Sequence, residues 1–350
     1  MITLLWNYYH FLTIGMELFV LILKFVIGLL MVIKGADWLT DGASSIAHKF
    51  NISSLVIGLT VVAFGTSAPE LVVSTVAASG GNSSAIAIGN VLGSNIFNIL
   101  AIVGIVALVY PIPVTRGNLH HDVPLCILAS IVMFVMAMDV FVDSNYMGNI
   151  ISRGEGITLL AFFGIFLTYT FSMARKTEET KGSESEKNVQ KVKDYPIWKS
   201  SLIFLVGLAV LIFGGDLFVD GASGIATSLG IKESVVAVTI VALGTSFPEL
   251  FTSVMAARKG NTDMALGNVI GSNLFNIFFV LGVASVVHPL DAGTMSKFDL
   301  FAMIGSAVLF WVFCLIGKQK LTISRGEGLI MVLCMLCYYA YQVFNATQGQ

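Results

Sequence analysis

The chain of 350 residues carries 56% hydrophobic and only 11% charged residues, with a formal net charge of −2 at pH 7. Soluble domains have about 25% charged residues, so this composition excludes an ordinary soluble domain. Apolar runs of about 20 residues recur along the chain and indicate a polytopic protein embedded in a lipid bilayer. The four cysteines lie in such runs without paired-loop or metal-ligand spacing, so we expect reduced, packed thiols.

Ten candidate membrane spans follow one another along the chain. They lie at about residues 17–36, 54–79, 84–110, 122–141, 154–173, 199–219, 234–257, 263–288, 298–317 and 327–345. We expect residues 1–15 to be an N-terminal extension and not a removed signal peptide, with Met16 as an alternative start. The one long polar stretch begins at Ala174 and mixes both charge signs, which predicts a solvated linker over 174–197.

The two halves of the chain repeat four motifs in the same order. The pairs are VVAFGTSAPEL (61–71) and IVALGTSFPEL (240–250), GNVLGSNIFNI (89–99) and GNVIGSNLFNI (267–277), GADWLTDGAS (35–44) and GGDLFVDGAS (214–223), and SRGEG at 152–156 and 324–328. Such matches predict an internal duplication, with five spans in each of the units 16–173 and 198–350.

An odd number of spans in each unit means that the second unit enters the membrane from the opposite side. We therefore predict an all-α polytopic membrane protein with ten transmembrane helices arranged as two inverted five-helix repeats. If the N-terminus lies outside, most loop lysines and arginines fall on the cytosolic side, and only Arg153, Lys232 and Lys297 fall outside. This distribution predicts an external N-terminus and a cytosolic linker.

Polar residues form one face of the second and seventh spans. These faces carry Ala63, Thr66, Ser67 and Glu70 in the second span, and Ala242, Thr245, Ser246 and Glu249 in the seventh. Pro69 and Pro248 cannot donate hydrogen bonds to the carbonyls of Gly65 and Gly244, so we predict a break in each helix. Broken backbone at membrane depth is tolerated where it lines a cavity or is buried in protein.

The third and eighth spans add a serine and an asparagine each, spaced to share one helix face. These residues are Ser94 and Asn98 in the third span, and Ser272 and Asn276 in the eighth. Carboxylate, hydroxyl, amide and carbonyl oxygens without His or Cys suit Ca²⁺ or Na⁺ and argue against zinc or copper. A carboxylate at bilayer depth costs at least ~2.5 kcal/mol, which indicates a functional role for Glu70 and Glu249.

At these residues the chain resembles a known family. GTSAPE (65–70) and GTSFPE (244–249), each followed by GN-x-x-GSN-x-FN, resemble the α-repeats of the cation/calcium exchanger superfamily, most of all those of prokaryotic sodium/calcium exchangers. The resemblance covers essentially all ten spans. It implies a secondary-active antiporter of the prokaryotic cell (inner) membrane that exchanges Na⁺ for Ca²⁺ by alternating access and normally exports Ca²⁺.

The resemblance also implies a set of ion ligands. Glu70 and Glu249 would be shared carboxylate ligands, and the backbone carbonyls of Thr66 and Thr245 would help to hold Ca²⁺. The remaining ligands would be the hydroxyls of Ser67, Ser94, Ser246 and Ser272, the carbonyls of Ala63 and Ala242, and the side chains of Asn98 and Asn276. Some relatives, including potassium-dependent ones, carry Asp at the position of Asn276, so we predict no potassium requirement.

Other functions are weighed against this one. A proton/calcium exchanger could use the same glutamates, although four serines favour Na⁺ as the coupling ion. Gly214-Gly215-Asp216 faintly suggests an intramembrane aspartyl protease, but a complementary Asp motif is missing from the sequence. An inverted repeat within one chain favours alternating access over a channel. We expect no enzyme activity, no cofactor, no nucleic acid and no obligate protein partner.

Two further polar groups are expected to have local roles. Asp37 and Asp41, and their counterparts Asp216 and Asp220, are predicted to solvate or cap helix ends more than to attract cations or form gating contacts. The two SRGEG motifs are predicted to cap and anchor the starts of the fifth and tenth spans.

Overall fold

The computed structural model describes residues 2–79, 84–144, 147–180, 193, 195–230, 242–293, 295–316 and 321–348, with side chains except in 2–15, 173–180, 242 and 346–348. The helices are α1 (Ile2–Lys49), α2 (Ser54–Thr66), α3 (Ala68–Ser79), α4 (Ser84–Val109), α5 (Asn118–Ala137), α6 (Asp139–Val142), α7 (Arg153–Thr180), α8 (Ile197–Ser228), α9 (Ala242–Gly244), α10 (Phe247–Arg258), α11 (Thr262–Val287), α12 (Lys297–Ile316) and α13 (Arg325–Gln348). The predicted all-α polytopic fold is confirmed.

The number of membrane spans is lower in the described residues than the sequence predicts. Eight of their helices are long and apolar enough to cross a membrane, or nine if the bent pair α2 and α3 is one span. The predicted seventh span, 234–257, begins outside the described residues, and α9 and α10 cover its remainder. The count of ten is therefore not reached within the described part of the chain.

Two helices extend beyond their predicted ends. α1 begins at Ile2 and continues to Lys49, so it includes the described part of the predicted extension. It ends just before Asn51, which adopts the left-handed conformation (φ 51°) that asparagine tolerates better than most residues. α7 continues to Thr180 because the first residues of the predicted linker include good helix formers. Residues 181–192 of that linker lie outside the described residues.

Helices α1 and α8 pack against each other over most of their length, through glycines. A Cβ on Gly35 would lie 2.5 Å from the backbone nitrogen of Leu211, and a Cβ on Gly207 would lie 2.5 Å from that of Leu39. Small residues at such crossings let helix backbones approach closely within a membrane. Both helices keep much of their surface exposed, which places this pair at the periphery.

Helices α4 and α11 form the centre of the molecule. The most apolar window of each is 83% buried, against 11% for α1. Each contains a wide π-helical turn that the sequence did not predict, at Asn98–Val103 in α4 and at Asn276–Val280 in α11. π-Helical turns are often found at functional sites, and these two begin at two of the predicted ligands.

Two short antiparallel strand pairs join the two repeats. β1 (Ile112–Pro113) of the first repeat pairs antiparallel with β4 (Thr322–Ile323) of the second, with Ile112 opposite Ile323. β2 (Ile150–Ile151) pairs in the same way with β3 (Leu290–Asp291). Each repeat thus contributes one strand to each ladder, as expected for two copies of one unit related by a pseudo-two-fold axis.

The SRGEG motifs form helix caps, as predicted. The Ser152 backbone N–H donates to Glu155 Oε2 at 2.7 Å, and the Ser324 backbone N–H donates to Glu327 Oε2 at 2.7 Å. Each serine hydroxyl donates to the same glutamate at 2.9 Å. This serine–glutamate spacing is a capping box, and it fixes the first turns of α7 and α13.

Candidate functional site

Both predicted helix breaks are present. α2 and α3 meet at Ser67 with a bend of 46°, directly before Pro69. In the second repeat α9 ends at Gly244 and α10 begins at Phe247, so Thr245 and Ser246 lie in the intervening turn. Ser67 (φ −86°, ψ 9°) and Ser246 (φ −90°, ψ 2°) have nearly the same backbone conformation. The proline that removes a backbone donor therefore acts alike in both repeats.

Glu70 and Glu249 lie in the first turns of α3 and α10, and both are fully buried. The start of a helix favours negative charge because its backbone N–H groups point toward that end. Each glutamate accepts a hydrogen bond from the other repeat: Ser67 Oγ donates to Glu249 Oε1 at 2.8 Å, and Ser246 Oγ lies 3.3 Å from Glu70 Oε1. These contacts bring the two predicted polar faces together at one place.

The serines of α4 and α11 complete this arrangement. Ser94 Oγ lies 3.4 Å from Glu70 Oε1, and Ser272 Oγ lies 3.5 Å from Glu249 Oε1. Ser94 and Ser246 are also 3.0 Å apart through their hydroxyls. Each glutamate therefore contacts two of the predicted serines, one from its own repeat and one from the other.

The second oxygen of each glutamate has a different environment. Glu70 Oε2, Glu249 Oε2, Asn98 Oδ1 and Asn276 Oδ1 are buried and have no hydrogen-bond partner among the described residues. Because buried polar atoms are nearly always hydrogen-bonded, four free acceptors in matching positions of two repeats require an explanation. Carboxylate and amide oxygens bind hard cations, so these four atoms could hold a Ca²⁺ or Na⁺ ion together.

The predicted backbone ligands lie at the same helix breaks. The Ala63 carbonyl accepts the Ser67 N–H at 3.0 Å and lies 3.4 Å from the Thr66 hydroxyl. Ala242 is the first residue of α9, at the matching place in the second repeat. The Thr66 hydroxyl contacts Asn268, and the Thr245 hydroxyl contacts Asn90. Both threonines directly precede the serines that contact the glutamates.

Four asparagines of the site were missed by the predicted ligand set. Asn90 and Asn268 bond to the threonines, while Asn273 Oδ1 accepts from Asn98 Nδ2 at 3.1 Å and Asn95 Oδ1 accepts from Asn276 Nδ2 at 3.2 Å. All four belong to the duplicated GN-x-x-GSN motif. Their presence in both repeats, at membrane depth where an amide needs partners, was the available signal.

An ion-pair cluster lies away from this site, on the C-terminal part of α1 before its end at Lys49. Lys259 Nζ lies 2.6 Å from Asp37 Oδ1 and 2.7 Å from Asp41 Oδ1, and Lys193 Nζ lies 2.8 Å from Asp41 Oδ2. The hydrogen bond to Asp41 raises the pKa of Lys193 above its usual value. The predicted capping of a helix end by Asp37 and Asp41 is wrong, because α1 continues past both residues to Lys49 and their carboxylates pair with lysines. Asp220 lies 3.5 Å from Lys24.

Comparisons with known proteins agree with this architecture. A family model described as "Sodium/calcium exchanger protein" matches residues 20–172 and 199–344. Sodium/calcium exchanger MaX1 of Methanosarcina acetivorans is 34% identical over 91% of this chain and 96% of its own length. Inner membrane protein YrbG of Escherichia coli is 35% identical over 87% of this chain and 91% of its own length.

A solved structure is similar as well. The sodium-calcium exchanger NCX_Mj, soaked with Na⁺ and Sr²⁺, is 31% identical with a TM-score of 0.75, over 92% of this chain and 98% of that chain. The family match covers both repeats, including the broken helices and the buried glutamates. The chain therefore belongs to the sodium/calcium exchanger protein family and is a membrane cation exchanger.

Proposed function

We propose that the protein is a secondary-active antiporter that exchanges Na⁺ for Ca²⁺ by alternating access and normally exports Ca²⁺. The observation that carries this proposal is the set of four buried oxygens, two from each repeat, that have no hydrogen-bond partner in the described part of the chain. Two glutamates supply a charge of −2, which matches one Ca²⁺ or two Na⁺. Inverted repeats that meet at broken helices near the bilayer midplane are typical of secondary transporters.

The proposed ligands follow from this geometry and from the family. Glu70 and Glu249 contribute carboxylate oxygens to the ions, and Asn98 and Asn276 contribute amide oxygens. The flanking ligands are the carbonyls of Ala63, Ala242, Thr66 and Thr245 and the hydroxyls of Ser67, Ser94, Ser246 and Ser272. The structural similarity to the sodium-calcium exchanger NCX_Mj supports the exchange of these two ions.

The orientation and division of the chain are part of the proposal. The N-terminus lies outside the cell, the linker 174–197 is cytosolic, and the two five-helix units are 16–173 and 198–350. The Lys/Arg distribution supports this orientation. The ion pairs of Asp41 with Lys193 and Lys259 support it, because they join three residues that this orientation places on the same, cytosolic side.

Proton/calcium exchange is the second candidate. Glu70 and Glu249 support it, because two buried carboxylates can carry protons as well as metal cations. The serine hydroxyls favour Na⁺ instead, because four of them surround the glutamates and proton binding requires none of them. The two candidates differ in the ion gradient that drives Ca²⁺ movement.

The deciding experiment uses the purified full-length chain in proteoliposomes. Internal Na⁺ is set high and external Na⁺ low, and the uptake of radioactive Ca²⁺ is followed with no pH gradient. The proposal predicts uptake that requires the Na⁺ gradient and ends when a sodium ionophore dissipates it. Uptake driven by a pH gradient alone would establish proton exchange and overturn the sodium proposal.

A further inference from the structure

We infer that Asn90 and Asn268 are positioning residues that hold the two halves of the ion site in register and thereby favour a divalent cation over Na⁺. The inference rests on the proposed function and deepens it. Neither asparagine belongs to the predicted ligand set. Both lie one helical turn or more before the ligand serines of α4 and α11.

Asn268 links three polar groups from the two repeats. Its Nδ2 donates to Ser253 Oγ at 3.0 Å and to the Glu249 backbone carbonyl at 3.4 Å, both in α10 of its own repeat. Its Oδ1 accepts from Thr66 Oγ1 of the first repeat at 3.2 Å. Both residues of the cross-repeat contact are buried, so this hydrogen bond is shielded from water.

Asn90 makes the same three contacts with the repeats exchanged. Its Nδ2 donates to Ser74 Oγ at 3.0 Å and to the Glu70 backbone carbonyl at 3.4 Å. Its Oδ1 accepts from Thr245 Oγ1 of the second repeat at 3.2 Å. The six contacts match in partner type and distance between the two repeats, so the duplicated motifs keep this link in both directions.

These contacts engage both the N–H donors and the oxygen of each amide in joining the two repeats. The two N–H donors of an asparagine side chain are used by a serine and a glutamate carbonyl, and its oxygen accepts from a threonine. By contrast, Asn98 and Asn276 each retain a free buried oxygen. The site therefore uses two kinds of asparagine, one kind to bind ions and one kind to join the repeats.

These links set the position of the ligands next to the threonines. Thr66 is followed by Ser67, whose hydroxyl donates to Glu249, and Thr66 itself bonds to the asparagine that holds the Glu249 backbone. One short segment of the first repeat thus contacts both the backbone and the side chain of the opposite glutamate. Thr245 and Ser246 do the same for Glu70, through Asn90.

The expected preference for Ca²⁺ over Na⁺ follows from the oxygen ligands and the negative charge that each ion requires. A Ca²⁺ ion takes six to eight oxygens at fixed short distances and needs both glutamates, so its affinity depends on the register between the repeats. A Na⁺ ion carries half the charge and needs only one of the two glutamates. Loss of a cross-repeat link should therefore weaken Ca²⁺ binding more than Na⁺ binding.

Double-mutant cycles test the pairing. Asn90→Ala and Asn268→Ala are each combined with Thr66→Val and Thr245→Val in the full-length protein, and Ca²⁺ half-saturation and maximal rate of Na⁺-driven uptake are measured. We expect each single variant to raise the Ca²⁺ half-saturation by ~10-fold, with a smaller change in Na⁺ half-activation. The pairs Asn90/Thr245 and Asn268/Thr66 should be non-additive.

The pseudo-symmetry supplies the matched control. Asn90/Thr66 and Asn268/Thr245 combine the same substitutions without a direct contact, so their effects should add. Thr66→Ser and Thr245→Ser keep the hydroxyl and should restore Ca²⁺ affinity relative to the valine variants. Equal coupling in all four pairs, or equal losses of Ca²⁺ and Na⁺ affinity, would overturn the inference.

Two readouts keep this inference separate from the proposed function. Equilibrium binding of radioactive Ca²⁺ to detergent-purified protein repeats the cycles without transport, and it applies to any variant that elutes as a single peak. If the wild-type protein shows no Na⁺-driven Ca²⁺ uptake, the proposed function fails. If the wild-type protein exchanges the two ions but the contacting pairs are additive in both assays, only the positioning role fails.

Discussion

Replacement of Lys259 by methionine should destabilise the protein through the ion-pair cluster. The Lys259 ammonium contacts Asp37 and Asp41 at 2.6 and 2.7 Å, and it also donates to the Asp37 backbone carbonyl at 2.8 Å. Its side chain is 21% exposed and that of Asp41 is 14% exposed. Methionine keeps the apolar stem but leaves two carboxylates facing each other, with Lys193 as the cation that remains in the cluster.

The expected loss of stability follows from how deeply the ion-pair cluster is buried. An exposed ion pair contributes about 0–1 kcal/mol, whereas removing one partner of a buried pair costs about 3–5 kcal/mol. The cluster lies between these limits, so we expect a loss of about 2 kcal/mol. For a protein of this size that corresponds to a decrease in melting temperature of roughly 3 °C.

The assay is thermal unfolding in detergent, followed by the loss of the monodisperse peak in size-exclusion chromatography. Lys24→Met is the matched control, because Lys24 pairs with Asp220 at 3.5 Å and both side chains are largely exposed, at 39% and 67%. We expect the control to change the melting temperature by about 1 °C or less. Equal shifts in the two variants would refute the argument from burial.

Two more predictions concern helix packing and ion selectivity. Gly28→Ala should separate α1 from α8 and lower stability by about 1–3 kcal/mol, since the added Cβ would lie 2.4 Å from the Phe218 nitrogen. Gly164→Ala, where a Cβ meets no atom within 4 Å, is its control in the same melting assay. Because Asn and not Asp occupies position 276, Ca²⁺ uptake should be unchanged when K⁺ is replaced by choline on both sides; a dependence on K⁺ would contradict this reading of Asn276.

The sequence was informative about the site because its chemistry is local. A proline after Gly-Thr-Ser removes a backbone donor wherever it stands, so the breaks at Ser67 and Ser246 could be predicted from short motifs. A carboxylate at membrane depth is costly in any fold, which singled out Glu70 and Glu249. Because the chain is duplicated, each motif in the first repeat has a counterpart in the second, and this pairing could be predicted without knowing how the helices pack.

Contacts between distant parts of the chain could not be predicted from such short motifs. The bonds of Thr66 to Asn268 and of Thr245 to Asn90 depend on how the repeats pack, and the motifs do not encode that arrangement. Likewise, the carboxylates of Asp37 and Asp41 suggested the end of a span. Their shared partner Lys259 comes from the other repeat, Lys193 comes from the linker, and α1 continues past both carboxylates to Lys49.

The central claim is that one glutamate from each repeat forms a single cation site. It is tested most directly by Na⁺-driven Ca²⁺ uptake in proteoliposomes containing Glu70→Gln or Glu249→Gln, at matched amounts of inserted protein. Each substitution removes one of the two negative charges and one free carboxylate oxygen, so either alone should abolish uptake. Near-normal exchange by one variant, with loss in the other, would contradict a site shared equally by the two repeats.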